Sequence, residues 1–332
     1  MTGSAPSKGH ISLALLARQV ADARKSQLSV FTDPAMSVAL AMDLMAVPEG
    51  DVTPVHREFG RVIADAHADG LRKSTLFVAD QDMSNLIDTA APSMPDQILL
   101  DDDAITPHGL LMWADALPDR TGAPPLIPVE MLSWTTVAED APILNGKRGP
   151  AILITAYVRT ELLLQAHGAA KPAHASRYLA NATVMWMMGT EIGTAYGQVP
   201  GTRGLAAPGF YQRLLAAFWT LAKQPLSVTT DSERPLPSDR KRFARAGIEN
   251  PGEPVHLVAL RHPIRERTEV DSDTGRHINV RYVVAPYWRD TYYGKEGVHR
   301  QQLVAGSVRG PQGAPLRSGE RVLLVTAKGL KP

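Results

Sequence analysis

The stretch Pro150-Ala-Ile-Leu-Ile-Thr-Ala-Tyr-Val158 constrains the fold more than any other part of the chain. After its opening proline it is almost continuously apolar and rich in β-branched residues. A strand with one face in water alternates polar and apolar residues, so this one must be buried on both faces. It therefore needs flanking strands in its own sheet and a covering layer on each side. Partners are close in sequence: Thr75–Ala79, Gly109–Ala114 and Glu130–Val137 read as strands, and Gln97–Leu100 looks extended. Residues 75–158 are expected to form a sheet with the 150–158 strand central and buried.

Covering helices are legible on either side of that sheet. Residues 11–25, 34–46 and 54–69 carry helical periodicity, with Pro34 suited to a helix start and Gly70 to a stop. Residues 159–168, 174–193 and 209–224 do so as well. The last of these presents Phe210, Leu214, Leu215, Phe218, Trp219 and Leu221, a face wide enough to be buried on more than one side. Residues 225–253 read as a polar linker holding a short basic helix, with Ser238 as its cap and Gly247 at its end. From residue 254 onward there are strands and turns without helices: 254–260, 277–289, 299–308 and 321–326. That pattern predicts an antiparallel sheet. The expected fold class is α+β, with a mixed N-terminal helical and sheet region, a central helical block and a C-terminal antiparallel sheet. The expected division is an α+β domain over 1–230, a basic linker or helix over 231–253 and an antiparallel β module over 254–332.

Composition removes whole classes of chemistry. Among 332 residues there is no cysteine, which excludes disulfides, thiolate nucleophiles, Cys-ligated zinc and iron–sulfur clusters. No apolar run approaches a membrane span, and the N-terminus lacks the basic region and long apolar run of a signal peptide. A cytoplasmic protein with no membrane partner is expected. The net charge of +1 conceals an asymmetry: residues 1–230 carry 17 Lys+Arg against 22 Asp+Glu, and residues 231–332 carry 18 against 12. A basic C-terminal third suits an acidic partner, DNA or RNA.

Familiar catalytic signatures are missing: there is no Gly-rich phosphate loop, no HExxH and no GxSxG. No metal site and no cofactor are expected. The acidic triplet Asp101–Asp103 would point alternately to opposite faces of a strand, His167 and His174 lack the i, i+4 spacing, and His56 and His67, eleven apart on one helix face, have no ligand-spaced carboxylate beside them. The densest polar and aromatic cluster lies between His277 and Arg300. Arg suits phosphate oxygens and flat rings stack on bases, so Arg281, Tyr287, Arg289, Tyr293 and Arg300 are the candidate nucleic-acid-binding residues. Arg281, Tyr287 and Arg289 share one strand parity, and Trp288, with the other, is expected to look inward. His277 and His299 are candidates for the acid and base of a metal-independent ribonuclease or toxin. A third reading is a structural or protein-interaction module without catalysis, and a homo-oligomer, as a symmetric dimer burying Trp288, would favour it. Whether the chain is an enzyme stays open at this point.

The C-terminal stretch has a recognisable outline. Tyr287-Trp-Arg289, Tyr293-Gly294, Gly297, His299-Arg300 and Arg309-Gly-Pro311 follow one another in order. This resembles a recurring pattern in a family of uncharacterised actinobacterial and actinophage proteins: a Trp-Arg strand, a Tyr-containing turn, a Gly-x-His-Arg strand entry and an Arg-Gly-Pro strand end. Phe218-Trp219 with Gln224 resembles the helix before that module, and Asp80–Ile87 the segment after the first strand. Ala285-Pro-Tyr287 stands where such proteins often carry Gly-His, so no histidine role carries over there. The resemblance implies a phage or mobile-element setting and no particular activity.

Overall fold

The apolar runs come together as a seven-stranded sheet in a computed structural model of the chain. The structure describes residues 13–35, 49–94, 104–119, 125–137, 150–169, 175–187, 209–224, 227–231, 234–260, 282–284, 287–293, 298–304 and 307–309. Its strands are β1 (Thr75–Ala79), β2 (His108–Leu117), β3 (Val129–Val137), β4 (Ala151–Arg159), β5 (Tyr178–Met187), β6 (Ser227–Asp231) and β7 (His256–Leu260), in the order β5-β4-β3-β2-β1-β7-β6. β1 runs parallel to both β2 and β7, and every other pair is antiparallel. The α+β class follows directly. Much of the helix expected over 34–46, the extended stretch 97–100, the triplet Asp101–Asp103 and the strand expected over 321–326 lie outside the described residues.

Helices cover both faces. α1 (Leu13–Phe31), α2 (Pro54–Lys73) and α6 (Pro237–Arg245) bury residues against one face, where Val20, Ile63, Val78, Leu110, Leu153 and Phe243 share a core. α3 (Gln81–Ala90) and α5 (Phe210–Ala222) cover the other, where Ile87, Leu111, Trp134, Ile154, Leu214 and Phe218 meet. A short α4 (Thr160–Ala166) follows β4. β4 alternates between the two cores, with Ile152, Ile154 and Ala156 on one side and Leu153 and Tyr157 on the other. It is buried on both faces, as its composition demands, yet it lies next to the sheet edge rather than at the centre.

Other expectations are corrected as well. In the helix expected over 174–193, the described residues Tyr178–Met187 are the strand β5. Tyr178, Ala182 and Trp186 are buried four residues apart, a spacing that suits a helix face. The ladder with β4 shifts between Ala156 and Tyr157, so that Asn181 is skipped and the two ends of β5 face different cores. Nor is β7 part of a separate antiparallel module. It is hydrogen-bonded in parallel to β1 (Phe77 opposite His256, Ala79 opposite Val258), so the sheet crosses the boundary expected at 254. The polar linker likewise contributes β6 at its start. Its helix α6 has Leu236 rather than Ser238 at the N-cap and Pro237 in the first turn, while Gly247, at φ 79°, follows its end.

Gly70 does not stop α2, which runs on to Lys73. It is there for close approach: a Cβ at Gly70 would lie 2.5 Å from the Thr135 Cβ and Oγ1 on β3. The same holds at Gly109 on β2, where a Cβ would lie 2.1 Å from the Trp134 ring. Alanine in a helix interior normally gains up to about 1 kcal/mol over glycine, while overpacking costs about 1–3 kcal/mol. Collision should win at Gly70. Gly70→Ala is expected to lower stability by about 1–2 kcal/mol, read as an earlier urea midpoint with unchanged slope.

A polar group crosses the α1–α2 side of the core. His67 is fully buried, stacked on Phe31 at 4.8 Å, with its ring 3.2 Å from the Thr155 hydroxyl, which in turn lies 3.1 Å from that of Thr183. Burial lowers the His67 pKa from 6.5 to about 4. The unfolded chain takes up this proton below about 6.5, and the folded chain only near 4. Stability is therefore complete above pH 6.5 and falls as pH drops toward 4, by about 3 kcal/mol at the lower end. His67→Gln should flatten that acid limb in urea titrations at stepped pH.

Candidate functional site

Beyond the sheet the chain forms β8 (Tyr282–Val284), β9 (Tyr287–Tyr293), β10 (Val298–Val304) and β11 (Ser307–Arg309). β9 pairs with β10 and β8 with β11, both antiparallel, as expected for this stretch. Tyr287 lies opposite Val304 and Val284 opposite Ser307, so three residues back on one strand match three forward on the other. The two ladders share one register but are two separate two-stranded sheets, and the ribbon of β9 and β10 is the longer.

An isolated ribbon of this kind is marginally stable, so it needs an anchor. The opposed pair Trp288 and Leu303 supplies it. Leu303 is 2% exposed and lies in the core with α5, and Trp288 packs on the same core. The Trp288 indole Nε1 donates to the Ala90 carbonyl at the end of α3, at 3.3 Å. Trp288 looks inward, as its parity predicts. Further along that inner face the cover ends: Asp290, Tyr292 and His299 are all exposed. His299 Nδ1 lies 2.8 Å from the Asp290 carboxylate, and the Tyr292 and His299 rings are 5.0 Å apart.

The outer face has a different character. Tyr287 and Arg289 are exposed there. The Arg289 Nη2 donates to Gln302 Oε1 at 3.1 Å and its Nε to the Thr291 hydroxyl at 3.4 Å. Both acceptors are neutral, and among the described residues Arg289 makes no ion pair. Arg300 is opposite Thr291 and Tyr293 opposite Val298, so their backbone positions have the parity of Tyr287 and Arg289. Four of the five candidate binding residues thus occupy one face of the ribbon. Arg281 and His277 lie outside the described residues, so the expected His277–His299 pair is represented by His299 alone.

Other candidates are tied into the body. In the basic helix α6, Arg242 pairs with Asp22 of α1 and with Asp239, and Arg240 Nε donates to the Pro235 carbonyl. His56 closes the N-terminus of α2 by accepting from the Thr53 amide. Among the described residues no group of three or more metal-binding side chains occurs, and no helix is long and apolar enough to cross a membrane. Sequence reasoning missed the buried polar residues of α1. Arg24 Nη1 donates to the Ser74 carbonyl, and Gln27 Nε2 to the Tyr178 carbonyl. Their only signal is that both follow the apolar positions Val20 and Ala23 on the packed side of α1. Burial lowers the Arg24 pKa to about 10.

No protein-family model matches the chain, and no curated protein matches it. Among solved structures, a crystal structure of AcrVA2 aligns with a TM-score of 0.37 and 10% identity, over 87% of this chain and 94% of that one. A likeness at that level sets neither fold nor function.

If Trp288 and Leu303 hold the ribbon, Trp288→Ala should free it without unfolding the sheet. Amide hydrogen exchange in 287–304 is expected to speed up by about tenfold or more, while β2 to β4 keep their protection.

Proposed function

We propose that this is an intracellular protein of phage or plasmid type that associates with nucleic acid through the outer face of its C-terminal ribbon. One observation carries the reading: among the described residues, the outer-face positions of β9 and β10 hold no carboxylate. They are Tyr287, Arg289, Thr291 and Tyr293 along β9, and Val298, Arg300, Gln302 and Val304 along β10. Asp290, the acidic residue of these two strands, has the opposite parity and is engaged by His299. Arg289 is oriented by neutral groups, so its charge is available to phosphate. The charge excess of residues 231–332 supports the same reading, because it draws a polyanion toward this part of the chain. The phage or plasmid setting rests on the resemblance of residues 287–311, and neighbouring genes for replication or virion proteins would agree with it.

Purified protein should bind DNA or RNA with an affinity that falls steeply as salt rises. Replacing Arg289 and Arg300 together by Ala should weaken binding and lower the slope of log affinity against log salt by about 2, leaving the urea midpoint unchanged. Absence of any binding at low salt rules the reading out.

A further inference from the structure

We infer that the outer face takes a single strand rather than a duplex, with one base stacked on Tyr287 and the neighbouring phosphate on Arg289. The inference rests on the nucleic-acid reading above and specifies its substrate class. Tyr287 is 48% exposed, and among the described residues its ring makes no aromatic contact and its hydroxyl no hydrogen bond. An aromatic side chain in water with no partner costs apolar exposure, which a stacking ligand would remove. Tyr287 and Arg289 are two residues apart on one strand, hence about 7 Å apart on the same face. That is the scale of one nucleotide step in an extended strand. Gln302 and Thr291 fix the plane of the guanidinium and use two of its five N–H donors, which leaves a fork for a phosphate.

Two features disfavour a duplex. The base faces that Tyr287 would stack on are covered in a double helix, and only unpaired bases offer them. The exposed aromatics also sit on both sides of the ribbon. Tyr292, 59% exposed, lies on the inner parity beyond the Trp288 anchor. A flexible single strand can pass from Tyr287 around the ribbon edge to Tyr292. A rigid duplex meets one face at a time. Charge agrees: the outer face of β9 and β10 carries two arginines, Arg289 and Arg300, enough for a short backbone track and few for a duplex footprint.

The test uses the full chain and fluorescence anisotropy with three labelled probes: a thymidine-only oligonucleotide, a duplex of the same length, and an abasic strand with the same phosphates. The thymidine strand should bind more tightly than the duplex. Tyr287→Ala should weaken it about tenfold and Tyr287→Phe should restore it, because the ring and not the hydroxyl is used. On the abasic strand Tyr287→Ala and wild type should bind alike. Duplex binding as tight as single-strand binding, or a Tyr287→Ala loss of equal size on the abasic strand, overturns this inference and leaves the nucleic-acid reading intact. Binding to none of the probes overturns both. An unchanged urea midpoint for Tyr287→Ala and Tyr287→Phe secures the comparison.

Discussion

The parallel pairing of β1 with β7 is the constraint on which the rest of the molecule depends. It brings residues 256–260 beside 75–79 and leaves β1 with parallel neighbours on both sides. A parallel pair cannot be closed by a tight turn, so the connections must cross over the sheet. α3 makes one crossing, between β1 and β2, on the side of Phe77 and Leu111. α6 and the segment with Ile248 and Val255 approach β7 on the other side, against α1. Both faces are thereby roofed. The pairing also continues past the strand: the Asp80 amide donates to the Val258 carbonyl, and the Asp80 side chain caps α3 by accepting from Met83. The far end of α3 is Ala90, whose carbonyl receives the Trp288 indole. A line of hydrogen bonds thus leads from the sheet centre to the base of the ribbon.

Most elements were legible because their composition and their environment agree. β4 and α5 are examples: continuous apolar content in one, a wide apolar face in the other, and burial in both. β5 was not legible, since positions four apart satisfy either period and the skipped Asn181 erases strict alternation. Gly70 misled for a related reason. A glycine that ends a helix and one that admits a neighbouring strand look the same in sequence, and only the 2.5 Å approach to Thr135 tells them apart. The partner of β7 was beyond reach because a non-local parallel pair leaves no mark in the residues between.

The candidate site divides along the same line. Strand parity alone separated Tyr287 and Arg289 from Trp288, and the ribbon follows it. Adding the Tyr293 and Arg300 positions to that face needed the cross-strand register, which depends on where the turn falls. The anchor could not be read at all: Leu303 is an ordinary strand leucine until it is seen opposite Trp288, above the core of α5. One side of the ribbon is thus attached through Trp288 and Leu303, and the other is exposed at Tyr287 and Arg289.

The approach of Gly109 to Trp134 reaches beyond packing. These two residues face each other across β2 and β3, and the indole Nε1 also donates to the Thr106 carbonyl at 2.9 Å. Sliding β2 along β3 by two residues would keep its inner and outer faces but put Leu111 or Pro107 where the indole lies. Neither can yield as a hydrogen does. The glycine thus works as a keyway and the tryptophan as its key. A slip of two residues in either direction is thus excluded by this one collision, without help from the helices that cover the strands.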